Sequence, residues 1–118
     1  MYTLLFHRNL ERKLRQQHGE TKKRLSTIFN SLEKDPHSIG DTLHFLGGLL
    51  KEIHVDKYRL YFSISEEKGV VEVVGFVYII AYEHKDEQDK FLRHLTKEKI
   101  KQIMENCVQK FKNQFCLL

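Results

Sequence analysis

Two cysteines and one proline are all that the 118 residues contain of either type. Cys107 falls on an apolar helical face and Cys116 in the C-terminal tail, and no CxxC spacing occurs. A disulfide framework is thereby excluded, and nothing in the cysteines suggests zinc. Long hydrophobic runs are missing as well. The most apolar stretch, Val70–Tyr82, includes Glu72 and is too short to span a bilayer as a helix. The opening MYTLLFHRN has too short an apolar run for a signal peptide. A soluble protein in a reducing cytoplasm is the expectation. No GxGxxG, GKS or GKT pattern marks a phosphate loop. His7, His18, His37, His44 and His94 are scattered without a ligand spacing such as HExxH, so no metal site is expected. Internal repeats and low-complexity tracts do not stand out.

What the chain does hold is charge and patterned apolar sequence. Charged residues make up 31% and hydrophobic ones 41%, a composition suited to one globular domain over 1–118. The formal net charge is +4, which suits an anionic partner such as RNA or an acidic protein and equally suits plain solubility. Tyr2–Phe6 reads as an opening strand. A polar helix follows from Asn9 to about His18, with Leu10 and Leu14 four apart and Gly19 placed to end it. A second helix, about Glu20–Lys34, sets Leu25, Ile28, Phe29 and Leu32 on one stripe. The outer surface of this helical hairpin carries Arg12, Lys13, Arg15, Lys22, Lys23 and Arg24, which can track a phosphate backbone or simply face solvent. Asp35-Pro36 breaks the second helix, and His37–Gly48 reads as a glycine-containing loop.

The stretch Leu43–Ile64, LHFLGGLLKEIHVDKYRLYFSI, organises the rest. Tyr58, Leu60, Phe62 and Ile64 alternate with Arg59, Tyr61 and Ser63, the period of a half-buried strand. Ile53 and Val55 alternate with Glu52 and His54 in the run before. A two-residue Asp56-Lys57 turn would set Val55 opposite Tyr58, His54 opposite Arg59 and Glu52 opposite Tyr61. Both apolar sets then share one face, and the other face collects His54, Arg59, Glu52 and Tyr61, where chemistry is expected. Glu66–Gly69 reads as a second turn. Val70–Tyr82 is apolar on both parities, as in a central strand covered on both sides, with Gly75 marking a bulge or a break. A charged connection, Glu83–Lys90, follows. Thr96 is placed to cap a final helix bearing Ile100, Ile103, Met104, Cys107, Val108 and Phe111 on one face, continuing toward Phe115. That helix suits packing on the sheet or receiving a partner segment. The order defines an α+β fold: an N-terminal strand and helical hairpin, then a mainly antiparallel twisted sheet, then a C-terminal helix.

With DPHSIGDTLHFLGGLLKEIHVDKYRLYFSI, a valine-rich strand and a charged EHKDEQ segment in this order, the chain resembles the RelE/ParE toxin superfamily. The resemblance runs from Tyr2 to the charged loop. It implies the toxin half of a type II toxin–antitoxin pair, with an antitoxin protein as partner, mRNA and the ribosome as targets, and neither metal nor cofactor. RelE-like members cleave mRNA in the ribosomal A site; ParE-like members share the fold and inhibit DNA gyrase. Metal-free cleavage needs a base for the ribose 2′-OH, cations for the phosphorane-like charge and an acid for the leaving 5′-oxygen. Carried over by position, Arg59 in KYR matches the strand arginine that stabilises phosphate, and His54 falls where a basic strand residue stands. Lys85 matches a later arginine, with His84 adjacent. Two positions depart from the pattern: Glu52 replaces a basic residue and Phe91 a tyrosine. Glu52 can act as a general base or as an ion-pair partner of Arg59, and Phe91 can stack on a base. The expected catalytic set is Arg59, His54, Lys85, Glu52 and His84, with Lys22, Lys23, Arg24, Lys57, Tyr61 and Phe91 contacting RNA. A ParE-like or catalytically silent toxin acting by protein binding is the alternative, and a non-enzymatic basic RNA-binding domain a further one.

Overall fold

The computed structural model of the chain describes residues 2–8, 10–68 and 73–116, with side chains described at 2–8, 10–44, 46–66 and 75–107. The expectations for Asn9, Gly69, Val70, Val71 and Glu72, and for the side chains of Val73, Val74, Val108, Phe111, Phe115 and Cys116, lie outside the described residues. Among the described residues five strands, β1 (Tyr2–Phe6), β2 (Asp41–Leu43), β3 (Leu50–Val55), β4 (Tyr58–Lys68) and β5 (Val73–His84), form one mixed sheet in the order β1-β5-β4-β3-β2. The β1–β5 pair is parallel, and the β5–β4, β4–β3 and β3–β2 pairs are antiparallel. The fold is α+β.

The alternation in Leu43–Ile64 sets the register. Val55 pairs with Tyr58, His54 with Arg59 and Glu52 with Tyr61 across the two-residue turn. Asp56 carries that turn's positive φ of 53°, a region that aspartate enters more readily than most residues. β5 lies between β1 and β4 and is buried on both faces, as its apolar character on both parities requires. Gly75 neither bulges nor breaks it. The glycine pairs with Tyr2 on one side and Glu66 on the other, and a Cβ there would lie 2.3 Å from the Tyr2 ring. The register slips further along instead, between Tyr61 and Phe62, where Ile80 and Ala81 turn to the same face.

Helices cover both faces. α1 (Leu10–Arg15) and α2 (Gly19–Lys34) bury Leu14, Leu25 and Leu32 against Val55, Leu60 and Phe62. α1 is shorter than expected because only Leu10 and Leu14 offer apolar surface to anchor it. Gly19, at φ 59°, opens α2 rather than ending α1. The segment His37–Gly48 is not all loop: β2 pairs with β3, and short 3-10 turns span Pro36–Ser38 and His44–Leu46. On the other face α3 (Gln88–Arg93) and α4 (Lys97–Cys116) pack over Leu50, Tyr61, Tyr78 and Ile80, with Ile100 and Cys107 buried. Thr96 caps α4, its Oγ1 accepting from the Lys99 N–H at 3.1 Å. Among the described residues no helix is long and apolar enough to cross a membrane.

Candidate functional site

The non-apolar face of the β3–β4 hairpin is open at its turn end and covered farther in. His54 side chain is 58% exposed, whereas Glu52 and Tyr61, expected on an open face, are 6% and 0% exposed. The period of a strand says which residues share a face; it does not say whether another layer lies on that face. Here α3 supplies the cover. Phe91 packs on Tyr61 with ring centroids 4.9 Å apart, and Gln88 Nε2 donates to Glu52 Oε2 at 2.7 Å.

A buried carboxylate persists only where it is hydrogen-bonded. Glu52 has two partners, Gln88 on Oε2 and His54 Nε2 on Oε1 at 2.9 Å. An ionised carboxylate only accepts, so His54 donates through Nε2 and its Nδ1 keeps a lone pair. Arg59, opposite His54, does not pair with Glu52 as the ion-pair alternative required. Its Nη1 donates to the carbonyls of Asp56 at 3.1 Å and Tyr58 at 2.9 Å, which draws the guanidinium to the hairpin tip. Its Nε is buried without a hydrogen-bond partner. Burial first, and then the Glu52 charge, push the Tyr61 phenol far above the ordinary tyrosine range, so its hydroxyl keeps its proton. That hydroxyl feels the carboxylate without a hydrogen bond of good geometry to it.

His84 and Lys85 are not brought to this face. The His84 ring meets Tyr58 edge-on, 5.2 Å between centroids, and Tyr58 stacks on Tyr82, which packs toward α1 and α2. His84 Nδ1 accepts from the Asp86 N–H at 3.1 Å, and Lys85 is exposed beyond it. Lys22, Lys23 and Arg24 lie on α2, across the sheet from Glu52. Arg24 is committed: Nη1 reaches Asp56 Oδ1 at 2.8 Å and Nη2 the His54 carbonyl at 3.3 Å. Lys57 is exposed at the turn. Phe91, besides covering Tyr61, lines a shallow depression of about 370 Å³ with Glu83, Glu87, Lys90, His94 and Leu95. Among the described residues no three His, Cys, Asp or Glu side chains converge to hold a metal ion.

The structure therefore brings Glu52, His54 and Arg59 together, sets Tyr61 beneath Phe91 of α3, and leaves His84, Lys85 and the α2 cations elsewhere. Gln88 was not foreseen; it sits in a charged connection whose composition carries no sign that one amide turns inward. No protein-family model matches the chain, and no curated protein or solved structure matches it either.

Proposed function

We propose that this chain is a RelE/ParE-type toxin, held by a cognate antitoxin, that cleaves mRNA on the ribosome without a metal. The observation that supports the reading is the hydrogen-bonded Glu52–His54 pair beside Arg59 at one hairpin tip. His54 Nδ1 takes the proton of the ribose 2′-OH as the 2′-oxygen bonds to phosphorus, and Glu52 stabilises the imidazolium that results. Arg59 faces the charge gathering on the phosphate oxygens while the bond to the 5′-oxygen breaks and that oxygen takes a proton from solvent water. The products are a 2′,3′-cyclic phosphate and a 5′-hydroxyl. Single-turnover cutting of ribosome-bound mRNA tests the roles: His54→Ala lowers the rate about 10²–10⁴-fold, and Glu52→Gln lowers it less. Wild-type rates in both variants would refute the reading.

A second reading, a toxin that acts by binding a protein such as gyrase, draws on two observations: Arg59 Nη1 is already spent on two carbonyls, and Tyr61 is covered. It predicts undiminished toxicity in His54→Ala.

A further inference from the structure

Tyr58 is the one large hydrophobic side chain that is exposed among the described residues. It opens β4 immediately after the turn, and it does not hang loose. One face of its ring lies on Tyr82, with centroids 4.8 Å apart and planes 8° from parallel, and the His84 ring buttresses it edge-on. Tyr82 is buried and fixes the orientation from below. Tyr58, 37% exposed as a residue, thus offers a ring already set in place, so binding on it costs little ordering of side chains.

The charges around this ring favour an anion. The turn's carboxylate, Asp56, is held by Arg24 at 2.8 Å. Lys57 is exposed beside Tyr58 in the same turn, and the Lys85 N–H donates to the Lys57 carbonyl at 2.7 Å, bringing Lys85 to this end of the sheet. Lys13 reaches over from α1 to the Tyr82 carbonyl at 3.4 Å. Asp86 is the acidic neighbour, 3.5 Å from His84 Nδ1. A pre-set aromatic face rimmed by lysines is what a base and its flanking phosphates of single-stranded RNA would recognise: the base stacks on the ring and the ammonium groups meet the backbone. The Tyr58 ring stands on the α1–α2 side of the sheet, across from His54 and Glu52, and at the hairpin tip between them the Arg59 guanidinium bonds the Tyr58 carbonyl.

We infer that Tyr58 is a base-stacking platform that holds one nucleotide of single-stranded RNA at the hairpin tip, with Lys57 and Lys85 on its backbone. This rests on the proposal that the protein acts on RNA, and adds a contact which that proposal does not assign.

The test measures binding apart from cutting, by fluorescence anisotropy of labelled oligouridylate and oligoadenylate whose riboses are all 2′-O-methylated and cannot be cleaved. Tyr58→Phe keeps the ring and binds like wild type. Tyr58→Leu keeps an apolar cover on Tyr82 without the aromatic face, and weakens binding about 5- to 100-fold with an unchanged salt dependence. Lys57→Ala instead flattens the salt dependence. Tyr58→Leu binding like wild type, which would assign the ring to a protein contact, overturns the inference, and so does a wild-type protein that fails to bind either RNA. Binding that depends on the ring in a protein that cuts no mRNA upholds the platform and removes the nuclease; cutting with ring-independent binding does the reverse.

Discussion

At the scale of single residues, the site turns on how a carboxylate survives beneath a helix. Glu52 is held there by two donors, His54 and Gln88. Removing one leaves a buried oxygen without a partner, a loss of about 1–3 kcal/mol. Gln88→Leu should therefore lower the urea midpoint, and Gln88→Leu in a Glu52→Leu background should cost far less, since the carboxylate is gone; equal costs would show that the two side chains act independently. The pairing of His54 with Arg59 and of Glu52 with Tyr61 was legible from a period of two and a two-residue turn. The burial of Glu52 and Tyr61 was not, because their cover comes from α3, far along the chain, and alternation along one strand carries no information about a second layer. Gln88 was illegible for the same reason.

At the scale of elements, the edge strand β1 depends on one absent side chain. The Tyr2 ring occupies the space that a Cβ at Gly75 would need, 2.3 Å from the ring carbons. Tyr2 and Gly75 are register partners in the parallel β1–β5 pair, so the ring cannot swing aside without disturbing that pairing. Gly75→Ala should destabilise the fold by about 1–3 kcal/mol, as overpacking does elsewhere, and a Tyr2→Ala background should recover most of it. Equal losses with and without Tyr2 would contradict the packing account. From the sequence alone, a glycine in a strand signals either a bulge or a close approach; only the partner strand decides, and Tyr2 lies more than seventy positions away. The bulge itself falls at Ile80–Ala81, two apolar residues that carry no local mark of it. Strand β2 leaves no pattern in the sequence, because Asp41 and Thr42 are exposed and three residues are too few to show a period. The two long helices and the cap at Thr96 were legible, being written in apolar stripes and capping chemistry.

At the scale of the molecule, acid should weaken the fold through His7. This imidazole follows β1, and its Nδ1 is buried without a hydrogen-bond partner. Burial first, then the charge of Arg8, lower its pKa below the ordinary imidazole value. The unfolded chain then binds the proton that the folded chain refuses, so stability rises with pH through the window between the two values and falls as pH drops through it. His7→Asn should flatten the melting temperature's dependence on pH in that acidic window; an unaltered slope would assign the acid sensitivity to other groups. Two helical layers on one mixed sheet were legible as α+β from the element order, whereas function is a property of the site and not of the fold. Attack by the 2′-OH, assisted by His54 and Arg59, leaves its signature in the chemistry of the cut ends. Purified protein, programmed ribosomes and mRNA are incubated with no metal added beyond what the ribosomes themselves require, and the fragments are mapped and their termini identified. Discrete cuts bearing 2′,3′-cyclic phosphate and 5′-hydroxyl ends are expected, reduced about 10²–10³-fold by Arg59→Ala. Fragments with 5′-phosphate ends, or no cuts by folded wild-type protein, would rule out this chemistry.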